Sequence, residues 1–154
     1  MLYRYATEED VELIYDFIMK LASYENLENE VVANVDLLKE WIFDNKKAEV
    51  IFALDENNEE VGFALFFHTF STFLGRAGIH LEDLFVLPEY RGKGYGKFLI
   101  ETLVKITKER KCGRLEWCCL DWNKPSIEFY ESLGAKHLGE WMIYRLEGED
   151  LEAL

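Results

Sequence analysis

Cysteine is scarce. Cys112, Cys118 and Cys119 are too few and too closely bunched to staple a small secreted domain. Reduced, buried thiols are expected, with adjacent Cys118 and Cys119 on opposite faces of a strand. No apolar run nears the ~18 residues that a membrane helix needs. The opening MLYRYATEED lacks the charged-then-apolar shape of a signal peptide. A soluble, cytoplasmic protein without a membrane partner is the expectation. Bases are also short: 17 Lys and Arg against 30 Asp and Glu leave a net charge of −13. Such a field repels nucleic acid and attracts cations. His68, His80 and His137 are scattered without metal-ligand spacing, so no metal site is expected. Repeats, linkers and low-complexity segments are absent.

What remains is a chain of 154 residues, 49% hydrophobic and 15% aromatic, enough for a core. The length fits one domain of roughly 100–200 residues, spanning residues 1–154. Leu2–Tyr5 reads as a strand. Thr7 before Glu8, Glu9 and Asp10 reads as an N-cap with acids in the first turn. Val11, Ile14, Tyr15, Ile18, Leu21 and Ala22 recur at helical spacing, ending near Tyr24. A loop is expected at Glu25–Glu30 and a short helix from Asp36 through Phe43. Ala48–Leu54, the turn Asp55–Glu60 and Val61–Phe70 form an antiparallel hairpin. Ile79–Val86 and Leu115–Leu120 are further strands, separated by a helix from Gly94 to Lys111. Pro125–Leu133 is amphipathic. Trp141–Leu146 reads as a closing strand and Glu147–Leu154 as a frayed acidic tail. The predicted fold is α/β: a mixed, mostly antiparallel sheet with helices on both faces and one late parallel pair joined by a right-handed crossover.

The segment richest in chemistry is Leu81-Glu82-Asp83-Leu84-Phe85-Val86 followed by Arg91-Gly92-Lys93-Gly94-Tyr95-Gly96. A strand runs into glycines at alternating positions just where a helix opens. Glycine lets backbone N–H groups approach a ligand closely, and at a helix N-terminus they favour an anion such as pyrophosphate. A tight turn without a ligand is the plainer account of any lone Gly-x-Gly; the strand before it, the Arg-Gly pair and the helix after it favour the anion site. A phosphate-binding Walker loop would need Gly-Lys followed by Ser or Thr. A dinucleotide fingerprint would sit in the first strand–helix unit, with two residues between its second and third glycines. Neither spacing is present.

Arg91 to Gly96 resembles the acetyl-CoA-binding motif, Arg/Gln-x-x-Gly-x-Gly/Ala, of the GNAT N-acetyltransferase superfamily. Asp121 to Tyr130 followed by Leu133-Gly134-Ala135 resembles its second block. Tyr3 to Thr7, Leu21 to Glu25 and Leu81 to Val86 are similar to the diamine (spermidine/spermine and thialysine) acetyltransferases. The resemblance implies a single acetyltransferase domain using acetyl-CoA by direct transfer to a small amine. It implies that Leu84, Phe85 and Val86 bind the acetyl and pantetheine parts, where a strand bulge splays the parallel pair. Gly92, Lys93, Gly94, Tyr95, Gly96 and Lys97 would cradle the pyrophosphate, with Arg91 also binding the cofactor. Asn123, Lys124, Pro125, Ser126 and Tyr130 would line the other wall.

The same resemblance gives roles to side chains. Tyr130 matches the tyrosine near the sulfur, and a phenol within reach can protonate a departing thiolate. A core tyrosine beside Ile127 and Leu133 is its plainer reading. Adjacent Glu82 and Asp83 should point to opposite faces of their strand, and a carboxylate in such an apolar strand needs a partner or a use. Glu82 matches the residue that accepts the substrate's proton, directly or through water. Tyr24, Glu25, Glu82, Asp83, Glu116, Trp117 and Cys118 would meet the amine. Glu28 and Glu30 add charge to the loop after Tyr24. Spermidine-type relatives carry an acid where this chain has Ser71, which resembles the thialysine type instead. A homodimer through C-terminal strands is implied as well, consistent with the apolar run Trp141–Tyr144. Two other functions stay open: the same fold acting on a protein N-terminus, ribosomal protein or aminoglycoside, and a non-catalytic acyl-CoA-binding module.

Overall fold

Apolar residues alternate along the central strands and bury two cores, one on each side of a sheet. A computed structural model describes Met1 to Leu154, and the chain divides into two compact units, residues 1–118 and 119–154. The first holds β1 (Leu2–Tyr5), α1 (Val11–Tyr24), α2 (Val35–Leu38), β2 (Glu49–Leu54), β3 (Glu60–Ser71), β4 (Arg76–Val86), α3 (Tyr95–Glu109) and β5 (Leu115–Trp117). The strands lie in the order β1-β2-β3-β4-β5, antiparallel except for the parallel pair β4–β5. This is the mixed, mostly antiparallel sheet that the sequence predicts.

One core gathers Phe52, Phe63, Leu65 and Phe85 against Ile14 and Phe17 of α1 and Ile42. The residues between them, Ile51, Ala64 and Phe66, face the opposite way, and Ile79 and Leu81 join that side through the ladder. There α3 buries Leu99, Leu103 and Ile106. Helices thus cover both faces. The start of α1 is fixed by chemistry legible in the sequence: Asp10 accepts from the Thr7 backbone N–H at 2.7 Å in a capping box. Arg4 donates twice to the same carboxylate at 2.8 Å and holds it well below the usual range. The guanidinium also pairs with Glu60 at 2.6 Å, joining β1 to β3.

The local differences have physical reasons. The helix expected over Asp36–Phe43 is one α turn running into a π turn, Lys39–Asp44. β5 stops at Trp117 rather than Leu120, because its ladder with β4 ends at Leu81, where β4 bulges. Cys118 and Cys119 are consequently exposed rather than buried on two faces of a strand. In the second unit, α4 spans Lys124–Ser132 and α5 spans Gly148–Glu152. α5 replaces the expected frayed tail, with Glu149 and Asp150 favourably placed at its positive end. Trp141–Leu146 is no strand: no ladder in the chain receives it, and an apolar run without a partner's hydrogen bonds cannot be one. No helix is long and apolar enough to cross a membrane.

Candidate active site

The site in the first unit is built around one irregularity. Phe66 pairs with Leu81 and Leu65 pairs with Asp83, so Glu82 is an extra residue in β4. Two consequences follow. Below the bulge, β4 pairs with β5 as far as Leu81–Trp117; above it, Glu82 to Val86 has no strand on that side. The Leu87 N–H bonds to Val61 of β3 at 2.9 Å, so by alternation the N–H and C=O groups of Leu84 and Val86 face the open edge. An edge of this kind can take up an extended amide chain as an added strand.

The second consequence concerns the carboxylates. Phe67 and Leu65 share a face of β3, and their partners are His80 and Asp83. Glu82 reaches the same face, its Oε2 3.6 Å from His80 Nε2. The expectation that Glu82 and Asp83 point to opposite faces is therefore corrected. A bulge absorbs one step of the alternation and puts both on the α1 side. Burial, then the charges of Glu82 and Glu25, push the Asp83 carboxyl up to about 6. Burial also raises Glu25, which caps the C-terminus of α1 immediately after Tyr24. Tyr24, Glu25, Glu82 and Asp83 are thus brought to one face. Glu116 pairs in register with His80 and is held by Arg114 at 2.9 Å; Trp117 closes the β5 ladder, and Cys118 lies just beyond it, exposed.

Above the edge, the chain turns through Pro88–Tyr90 into the glycine loop. The Tyr90 hydroxyl donates to Asp55 at 3.1 Å, and Asp55 also caps the β2–β3 turn, so the loop is tied to the hairpin. Gly92 and Gly94 lie at φ 74° and 92°, a left-handed region that side chains disfavour. Gly94 is the N-cap of α3; with no acid in the first turn, the unspent N–H groups there present a positive pole flanked by Lys93 and Lys97. Tyr95 is buried and Gly96 partly so. This cradle fits a pyrophosphate, and the open edge fits an amide-bearing arm. A cleft of about 430 Å³ also borders the loop through Lys93 and Tyr95, but its other wall carries Asp55 and Glu56, unsuited to phosphate.

Asn123, Lys124, Pro125, Ser126 and Tyr130 belong to the second unit. The Asn123 side chain accepts from the Ser126 N–H as the N-cap of α4, and Pro125 occupies the first turn. The Tyr130 ring lies 5.5 Å from that of Phe129. Two features escape the sequence reading. His80 looks like a lone strand histidine, yet its ring lies tilted against Phe67, centroids 5.0 Å apart, beside Glu82; its spacing two residues before an acid on one strand was the available signal. The second is where the Arg91 side chain goes: its Nε donates to the Val86 carbonyl at 3.0 Å and its guanidinium lies over the Tyr24 and Phe85 rings, contacts that no local spacing signals.

An N–H cradle, an open strand edge and an acidic face describe an acyl-group carrier meeting a cation. Comparison with known proteins agrees: the chain belongs to the acetyltransferase (GNAT) family, whose sequence profile matches residues 14–135. It is 34% identical to a thialysine N-epsilon-acetyltransferase of Bos taurus, covering 100% of this chain and 96% of that one. It is 41% identical to an L-ornithine N5-acetyltransferase of Arabidopsis thaliana, over 67% of this chain and 46% of that protein. An integron cassette protein from the mobile metagenome of V. cholerae has the same fold, with a TM-score of 0.82 at 27% identity, covering 99% of this chain and 95% of that one. Members of this family generally use acetyl-CoA.

Proposed function

We propose that this enzyme transfers an acetyl group from acetyl-CoA to a primary amine of a small diamine, polyamine or thialysine-like substrate. The observation that carries the reading is the Glu82 bulge, which opens an edge for the pantetheine arm and gathers Glu82, Asp83 and Glu25 for an ammonium. The names of its relatives support an amine acceptor. Leu84, Phe85 and Val86 would hold the arm, and Gly92 to Lys97 the pyrophosphate, with Arg91 a further cofactor contact. Asn123, Lys124, Pro125 and Ser126 would complete the cofactor contacts.

Bound acetyl-CoA supplies an activated thioester acyl group. The amine arrives charged and must lose a proton before it can attack. Glu82 takes that proton, directly or through water, while Asp83, Glu25 and Tyr24 hold the substrate's charge; Glu116, Trp117 and Cys118 contact the remainder of the amine. The Tyr130 hydroxyl gives a proton to the departing thiolate. We also propose that residues 1–154 act as one acetyltransferase domain in the cytoplasm, as a homodimer. The exposed run Trp141–Tyr144 favours the dimer, because such an apolar surface is otherwise an aggregation hazard. Acetyl-CoA turnover against a panel of diamines, thialysine, peptides and aminoglycosides, read by thiol release, tests the function. Release with diamines or thialysine is expected. Release only with peptides or sugars would move the acceptor class, and tight cofactor binding without release would make the protein a binding module.

A further inference from the structure

We propose that His80 is the positioning residue for Glu82: its Nε2–H holds the carboxylate in the orientation from which it takes the amine's proton. The proposal rests on the acetyl-CoA and amine reading above and adds a side chain that this reading leaves without a role. The Glu82 Oε2 stands 3.6 Å from His80 Nε2, and His80 is its one ion-pair partner. That distance is just beyond a hydrogen bond. Contacts of a catalytic base are often this long before substrate binds and tighten in the complex.

The bulge creates the need for such a partner. Glu82 is the extra residue of β4, so no residue of β3 stands opposite to constrain it. Its long side chain is 55% exposed and free to swing. The other acids of this face are each fixed by something else. Burial fixes Asp83, the C-terminus of α1 carries Glu25, and Arg114 holds Glu116 at 2.9 Å. His80 is well placed to hold the one that remains. Its side chain is only 22% exposed, its ring lies at 32° to that of Phe67 on β3, and Glu116 stands in register beside it on β5. Nε2 can carry a hydrogen in the neutral ring and always does in the cation, so it can donate to the carboxylate in either state. A carboxylate at that nitrogen also selects the neutral tautomer that donates. A base works best when a third group orients it. Asp83, Glu25 and Tyr24 hold the amine's charge, so a loose Glu82 costs rate rather than affinity. A misplacement of about 1 Å can cost on the order of 100-fold.

Two substitutions separate the two properties of the side chain. His80→Phe keeps a ring for Phe67 and removes the N–H. His80→Gln removes the ring and keeps an N–H at a similar reach. Steady-state acetylation is measured for both with the amine that the panel identifies, beside thermal melts. His80→Phe is expected to lose about 10- to 100-fold in turnover while KM for the amine and for acetyl-CoA changes little. His80→Gln should keep most of the wild-type turnover, whatever its melting temperature. Wild-type turnover in His80→Phe, equal losses in both variants, or a change confined to KM overturns this proposal alone. A second measurement leaves His80 in place. In a nitrogen-15-labelled sample, the His80 Nε2 resonance should move in Glu82→Gln, where the charged acceptor is replaced by a neutral one. No movement overturns the proposal even if a His80 variant fails to fold. A wild-type protein that releases no thiol with any amine overturns the acyltransferase reading, and this role with it.

Discussion

At the scale of residues, environment separates chemically similar groups. Glu82 and Asp83 are neighbours with the same charge, yet Glu82 lies exposed while Asp83 is buried enough for its carboxyl to rise from 3.8 to about 6. A carboxyl raised by folding binds more protons folded than unfolded, so stability falls as pH climbs from about 4 to about 6 and the penalty persists above. Asp83→Asn should therefore raise the melting temperature at pH 8, by an amount worth roughly 1–3 kcal/mol, and leave it unchanged near pH 3.5. Melts at the two pH values check this; an equal gain at both would point to packing instead. Tyr130 offers the contrasting test. A hydroxyl that acts only as the C–S bond breaks contributes to turnover rather than to binding. Tyr130→Phe should lose at least ~100-fold in turnover while keeping acetyl-CoA affinity and its melting temperature. Loss of cofactor affinity would instead make Tyr130 a residue that positions the sulfur.

Among the elements, β4 does the most with the least. Its bulge is a single residue, so a single deletion addresses it. Removing Glu82 would let Leu81 and Asp83 follow one another as a regular ladder against Phe66 and Leu65, and would let β5 pair further. The variant is expected to fold, with a melting temperature equal to or above wild type and acetyl-CoA affinity reduced at least about 10-fold by loss of the open edge. Glu82→Gln keeps the bulge and should keep that affinity while losing turnover. If the deletion binds acetyl-CoA as wild type does, the open edge is not the arm's site. This element also marks where the sequence stops being informative. Helical spacing finds α1 and its end near Tyr24, although the expected first turn, Glu8–Asp10, is a 3-10 turn ahead of Val11, and the glycines mark the N-terminus of α3 directly, because those signals are local. The bulge is not local. Alternation alone assigns Glu82 and Asp83 to opposite faces, and only the pairing with β3 shows which residue is extra. Trp141–Leu146 fails for the same reason: apolar content suggests a strand, but a strand exists only where another edge receives it.

For the molecule as a whole, the charge of −13 sets the conditions under which a cation is drawn in. Screening shortens the reach of exposed charges from about 10 Å at 0.1 M salt to about 3 Å at 1 M. The KM for a diamine should therefore rise several-fold over that range, while turnover at saturation changes little; a KM indifferent to salt would confine recognition to short-range contacts. The field also extends over the carboxylates outside the site, so the effect should exceed what Glu25, Glu82 and Asp83 alone would give.

The far end of α3 behaves differently from the end that holds the glycine loop. At its C-cap, Arg110 grips Glu49 of β2 twice, at 2.6 and 2.9 Å, touches His68 of β3 at 3.2 Å and reaches the Tyr5 hydroxyl of β1 at 3.5 Å. One guanidinium thus rivets the helix to three successive strands. The other end is held by the bond from the Tyr90 hydroxyl to Asp55 of the β2–β3 turn, and the buried Leu99, Leu103 and Ile106 seat the helix in between. The N–H groups of the glycine loop therefore stand on a helix fixed along its 15 residues, about 22 Å from Arg110, in place before a phosphate arrives.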